Sequence, residues 1–258
     1  MKRTLLFVAA ALFALTSCTK EIKTETLKFE EEIPLHEGSE NNLDLNLDID
    51  FPVSGFPKEA LEEVRKAIRV HTLGDSYAEF TGSLAELGQL WRNILADDYV
   101  STNMAMLEEM EMEEEDAPFL NWGFEYRGGF GGDPYKQYVN YFIDKYEYLG
   151  GAHGMSVNVP LVFDTKTGQC VEWQELAPGV SEARMAELLL KHRMDDLKDM
   201  IDEEEGINED DIFFSETIEP SPWFSIDKEG ITFYYQPYDL APYVFGIITV
   251  PVPWSELK

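Results

Sequence analysis

The sequence predicts an α+β fold, with helices packed on a mainly antiparallel β-sheet, and three observations predict it. Asn42 to Phe51 alternates polar and apolar residues without a break, two long segments carry apolar residues at helical spacing, and aromatic alternation with glycine-rich turns takes over from Leu120. Period two buries one face of a strand and period 3.6 one stripe of a helix. The 258-residue chain is 44% hydrophobic and 13% aromatic, enough for the core of one large domain or two small ones. It carries 20 Lys plus Arg against 50 Asp plus Glu, a net charge of −30. Such a chain repels phosphate backbones, whose non-specific affinity for proteins rests on Lys and Arg, so nucleic acid is not an expected partner.

The first segment is a targeting signal. Lys2 and Arg3 precede an apolar run from Leu5 to Leu15, which is shorter than the roughly 20 residues a permanent span needs and reads as a secretory signal peptide. It ends in Leu15-Thr16-Ser17-Cys18, which resembles the lipobox of bacterial lipoproteins. The resemblance implies acylation of Cys18, cleavage before it, and attachment to the membrane by buried acyl methylenes. Thr19 is not the aspartate-type inner-membrane retention signal of known lipoproteins, so the expected address is the outer membrane, facing the periplasm or the surface. Thr19 to Lys28 alternates Lys, Glu and Thr and reads as a solvated tether. With Cys18 lipidated, Cys170 has no partner for an intramolecular disulfide and is expected as a small buried hydrophobe.

The strand Asn42–Phe51 is followed by Pro57 and an amphipathic helix with Leu61, Val64, Ile68 and His71 on one face. Ser83-Leu84-Ala85-Glu86 has the form of a capping box, and Leu84, Leu87, Trp91, Ile94 and Leu95 are expected inward. Ser101 to Asp116 continues helically, with Met104, Leu107 and Met110 inward and Glu113 to Glu115 outward. Acidic residues pile up where the macrodipole is also negative, so the end should fray. Asn121 to Tyr126 and Tyr138 to Tyr148 form a hairpin around the glycines at 128–132. Val157 to Asp164 and Cys170 to Leu176 flank Thr165-Lys166-Thr167-Gly168 as a second hairpin. Ser181 opens a helix with Ala186, Leu189, Leu190, Leu197 and Ile201 as its stripe, followed by a solvated acidic stretch to Asp211. Ile231–Tyr235 and Phe245–Val250 close the chain as strands.

No catalytic constellation is visible. His36, His71, His153 and His192 are scattered, without a His-Glu-x-x-His pair for zinc. Gly154-Met155-Ser156-Val157-Asn158 is half a G-x-S-x-G elbow but lacks a following helix. The acidic runs lack the spacing of a calcium loop. No cofactor or metal is implied, although a carboxylate pair set in three dimensions cannot be picked out of fifty acids.

The cluster Tyr148-Leu149-Gly150-Gly151-Ala152-His153-Gly154 holds a histidine among glycines that force unusual backbone angles or close approach. This cluster, Phe163 to Gly168, the block Ile231 to Gly246 and the ending Val252-Pro253-Trp254-Ser255-Glu256-Leu257 resemble the RsiV/PdaC-type extracytoplasmic domain of unknown function. The similarity runs from Tyr146 to the C-terminus, and a weaker one links Asn42–Glu125 to the companion domain that precedes it. The resulting division is 1–17 signal peptide, 18–30 tether, 31–140 N-terminal half and 141–258 RsiV-like domain. In RsiV this domain is the receptor for lysozyme, and in PdaC it accompanies a deacetylase. No cytoplasmic sigma-binding segment, transmembrane helix or deacetylase motif is found here, so the resemblance implies a stand-alone recognition module. Expected partners are the membrane through its lipid, and peptidoglycan or a cationic protein such as lysozyme. Gly150, Gly151, His153, Tyr238, Pro242 and Tyr243 form the candidate corner. Packing is the commoner role of such clusters, and a ligand groove lined by tyrosines is the other. An envelope hydrolase using unidentified carboxylates and a purely structural surface lipoprotein are the alternative functions.

Overall fold

A computed structural model describes residues 21–195, 197 and 212–258. Cys18, Ile201 and most of the acidic stretch before Asp211 lie outside the described residues. No helix among the described residues is long and apolar enough to cross a membrane.

The fold is α+β. Eight strands form two sheets: β1 (Thr24–Pro34), β2 (Asn42–Pro52), β3 (Trp122–Tyr135), β4 (Tyr138–Leu149) and β5 (Met155–Asp164) make a five-stranded sheet in that order. β6 (Phe224–Ile226), β7 (Gly230–Tyr235) and β8 (Ile248–Pro253) make a three-stranded one. All neighbours are antiparallel except β2 and β3, which run parallel because the helices α1 (Leu61–Leu73) and α2 (Leu84–Met110) carry the chain back between them. The helices α3 (Trp173–Leu176) and α4 (Glu182–His192) precede the second sheet. A boundary at 140/141 falls inside β4, so the division between the sheets comes later, between β5 and β6.

β1 includes Thr24–Lys28, which is therefore a strand rather than a tether. Its backbone pairs with all of β2, from Thr24 opposite Pro52 to Pro34 opposite Asn42, and its charged side chains suit an edge position. Leu43, Leu45, Leu47, Ile49 and Phe51 of β2 are fully buried beneath α1 and α2. The Ser83 capping box forms with Glu86, as expected. The inward stripe of α2 advances by fours through the buried Leu87, Trp91, Tyr99 and Asn103 and the half-buried Leu95 and Leu107. Ile94, Met104 and Met110 fall outside it and are exposed, contrary to expectation. Glu111 takes a left-handed conformation (φ 51°) and ends the helix before the acidic run.

The glycines at 128–132 lie within or at the end of the paired part of β3, and the turn of the hairpin is at Lys136 and Gln137 instead. A Cβ at Gly128 would stand 2.6 Å from the Tyr141 hydroxyl, which crosses there to donate to the Asp50 carbonyl (2.8 Å). Only the start of the second expected hairpin arm pairs, as a single bridge from Cys170 to Phe163, before α3 begins. Cys170 is exposed rather than buried, although desolvation by its neighbours raises its thiol pKa. Ser181 caps α4, whose buried stripe is Met185, Leu188 and Leu189, while Leu190 is exposed.

β5 serves both cores. Leu161 and Phe163 point to the core under α1 and α2, and Val162 points to the core of the second sheet. The second sheet is docked on β4 by Asn140, which is buried. Its Nδ2 donates to the Ile226 carbonyl (2.8 Å), and its Oδ1 accepts from the Ile226 N–H (3.0 Å). Replacement Asn140→Leu leaves both Ile226 groups unsatisfied and should cost about 2–4 kcal/mol in chemical denaturation. A loss below about 0.5 kcal/mol would show that these bonds do not hold the sheets together.

Candidate functional site

Alternation in the five-stranded sheet sends the odd residues of β1 and β2 toward the helices and their even residues to the opposite face. The second sheet covers that opposite face at Asn140 and at Phe142, whose ring meets Tyr234 at 6.4 Å. Over β1 to β3 the face stays open and acidic. One row across it runs Lys28, Asp48, Arg127, Asp144, Asn158. Its charges are partly matched, with Lys28 3.1 Å from Asp48 and Arg127 paired to Glu125. The next rows run Glu30, Asn46, Glu125, Tyr146 and Glu32, Asp44, Gly123, Tyr148. Glu30, Glu32 and Asp44 form no ion pair among the described residues.

These rows line a groove of about 620 Å³ bounded by Glu30, Glu32, Asp44, Asn46, Glu125 and Tyr146. Gly123 forms part of its floor, where an added Cβ would meet nothing within 4 Å. Just beyond Glu32 and Asp44 the chain turns through 35–41. Glu114 reaches back to hold that turn, accepting from Ser39 Oγ, from Asn41 Nδ2 (2.8 Å) and from His36 Nε2 (2.5 Å). Sequence reasoning placed Glu114 in solvent. Its carboxylate lies between the hydroxyl and the imidazole, so it clamps a turn and places no hydroxyl on a histidine base. The bonds from Ser39, then Asn41, lower the Glu114 pKa. The Glu37 carbonyl, then Glu114, raise that of His36.

Tyr146 connects the groove to the candidate corner. Its ring packs on Gly154, where an added Cβ would stand 2.4 Å from it. The Gly154 carbonyl accepts from Tyr243 Oη (2.8 Å) and from His153 Nδ1 (2.9 Å), which makes Nδ1 the protonated nitrogen. The His153 ring stacks on Tyr243 with centroids 4.0 Å apart, and Tyr238 lies 5.8 Å beyond it. Tyr238 is 49% exposed and has φ 73°, a strained conformation for a tyrosine. Pro242 opens the short 3-10 turn Tyr243–Phe245 and accepts from Phe245 N–H.

The six candidate residues thus divide. The exposed His153 and Tyr238 and the half-buried Tyr243 form one aromatic stack, and Pro242 opens the turn that carries Tyr243. Gly150 has another duty: its φ is 78°, and a Cβ there would lie 1.8 Å from the Phe119 carbonyl oxygen. Gly151 makes no such demand.

Gln236, which sequence reasoning missed, positions the stack. Its Oε1 accepts from Asn158 N–H (2.8 Å) and its Nε2 donates to the Asn158 carbonyl (2.7 Å), so it pairs with the edge of β5 as a strand would. Tyr146 and the open acidic face were also missed. The alternation of Asn42–Asp50 already exposed Asp44, and only the extent of the second sheet decided that nothing covers it. Ser156 lies inside β5 rather than on a strand-to-helix turn. No group of three or more His, Cys, Asp or Glu able to hold a metal occurs among the described residues.

Residues 176–255 match the family model described as protein of unknown function, DUF3298. The DUF3298 match spans α4 and the second sheet and is consistent with the resemblance to the RsiV-like domain. A member of the DUF3298 family from Bacteroides fragilis has a similar structure, with a TM-score of 0.78 and 22% identity over 92% of each chain. A DUF3298 family protein from Pseudomonas aeruginosa gives a TM-score of 0.63 and 18% identity over 93% of this chain and 94% of its own. At these identities the likeness is one of fold. No curated protein matches the chain.

The His36–Glu114 contact should make stability depend on pH. His36 has its folded pKa raised above 6.5, so its contribution is complete below that value and is lost as pH rises through the raised one. Glu114 has its pKa lowered below 4.5, so its contribution is present above that value and is lost as pH falls through the lowered one. Their joint contribution is greatest between those two ordinary values. His36→Ala should flatten the fall in Tm between about pH 5.5 and about pH 8, and an unchanged slope would refute the assignment.

Proposed function

We propose that this protein is a non-enzymatic recognition module, tethered to the cell envelope by a lipid on Cys18, whose open acidic sheet face receives a cationic protein. The observation that carries this reading is the groove bounded by Glu30, Glu32 and Asp44, acids without a basic partner among the described residues, walled on one side by Tyr146. Unmatched carboxylates on neighbouring strands repel one another, a cost that a basic partner relieves. The field of a chain with a net charge of −30 would steer such a partner toward it. Tyr146, the exposed Tyr238 and the His153–Tyr243 stack extend the surface with aromatic side chains of the type enriched at interfaces. The resemblance to the RsiV-type domain names lysozyme, a basic wall hydrolase, as the first partner to try. Attachment at Cys18 rests on the lipobox-like Leu15-Thr16-Ser17-Cys18 behind a short apolar run.

Binding of hen egg-white lysozyme to the purified protein should weaken steeply with salt. It should fall about tenfold to a hundredfold in the triple variant Glu30→Gln, Glu32→Gln, Asp44→Asn. Equal affinity of wild type and variant removes the acidic face from the reading. Absence of any complex removes the cationic partner, and release of soluble fragments from peptidoglycan would favour the hydrolase alternative. Cys18→Ala should move the protein from the membrane to the soluble fraction of the envelope, and continued membrane fractionation would rule out the lipid anchor.

A further inference from the structure

A second cavity, separate from the acidic groove, lies at the seam between the two cores. It encloses about 420 Å³ between α1, β5, the segment leading into α3 and the approach to β6. That is within the range of small-ligand sites, roughly 300–1,000 Å³. Trp173 and Trp223 line it together with His71, Gln174, Ser221 and Cys170. Both indoles are braced: Trp173 meets Phe233 at 6.3 Å, and Trp223 meets the His71 ring at 5.5 Å, each edge to face.

The polar groups of this cavity have unused bonding capacity. The His71 imidazole makes no hydrogen bond among the described residues. Burial, then Lys145, lowers its pKa below the ordinary 6.5, so the ring is neutral near pH 7 and offers one donor and one acceptor. The exposed Gln174 amide is likewise without a partner among the described residues. No lysine or arginine lines the cavity and its one charged lining residue is the carboxylate Glu172, so a phosphate or carboxylate would find no counter-charge in it. Flat apolar walls beside uncharged groups that both donate and accept suit a ring with C–H faces and many hydroxyls.

We propose that this cavity binds a neutral pyranose sugar, one unit of a glycan, with its ring against the partly exposed Trp223 indole, with the buried Trp173 at the cavity floor, and with its hydroxyls bonded to His71 and Gln174. The site is independent of the acidic face, so either can fail without the other. The full-length protein titrated with a β-1,4-linked N-acetylglucosamine tetramer should show a saturable change in tryptophan fluorescence. Alkylation of Cys170, followed on its own peptide by mass spectrometry, should slow in the complex. Trp223→Ala should weaken binding about tenfold or more, and so should Gln174→Ala, an exposed substitution that leaves the fold intact should Trp223→Ala not fold. The Glu30→Gln, Glu32→Gln, Asp44→Asn variant should bind the sugar as the wild type does. Absence of saturation, unchanged affinity in Gln174→Ala and His71→Ala, or saturation by a proline-rich peptide in place of the sugar overturns the proposal. Loss of the signal in the acidic-face variant overturns it as well.

Discussion

Two side-chain amides hold the second sheet on the first, and the form of the exposed surface depends on them. Asn140 pairs with both backbone groups of Ile226, and Gln236 with both backbone groups of Asn158. Each imitates a peptide group, satisfying a donor and an acceptor that burial or a strand edge would otherwise leave open. Asn140 anchors β6 over β4, and Gln236 brings the 236–246 loop to the edge of β5. Because the contact is made at β4 and β5, the second sheet stops there, and β1 to β3 keep one face in solvent.

That partial cover explains how one sheet presents two different surfaces. Beneath α1 and α2 its residues are apolar and closely packed. On the other side the β4–β5 end is apolar where the second sheet sits, and the β1–β3 end is carboxylate-rich. Lys28 and Arg127 balance one row of charges, while Glu30, Glu32 and Asp44 remain unmatched. The aromatic corner stands where the two environments meet. Gly154 accommodates the Tyr146 ring, and the Gly154 carbonyl collects the His153 and Tyr243 bonds. The same seam, on its other side, leaves the cavity between Trp173 and Trp223.

Sequence reasoning succeeded where local physics decides. β2 was legible from its unbroken alternation, the start of α2 from its capping box and the start of α4 from its serine cap. It failed where the burden passed to partners distant in the chain. Thr24–Lys28 has almost no apolar residues, yet it is a strand because β2 supplies backbone partners along its whole length. Ile94 and Met104 fit an apolar helix face, but α2 crosses β1 and β2 with a stripe stepping by fours, and they fall beside it. The glycines at 128–132 looked like a turn, while Gly128 is there because the Tyr141 hydroxyl must pass. Of the candidate corner, His153 and Tyr243 lie far apart in the chain, and what brings them together is Gln236, which sits inside the Ile231–Gly246 block but which no local pattern singles out.

From composition and periodicity alone the chain is an acidic α+β protein with one long alternating strand, amphipathic helices and a glycine-histidine turn, because charge, backbone preference and side-chain period act over a few residues. Which face of the sheet stays uncovered, which carboxylates lack a partner and where two indoles and an imidazole enclose a space are properties of strand order and sheet docking. Those depend on contacts between residues 91 or more positions apart, such as Asp50 and Tyr141 or His71 and Trp223, and no local pattern encodes them.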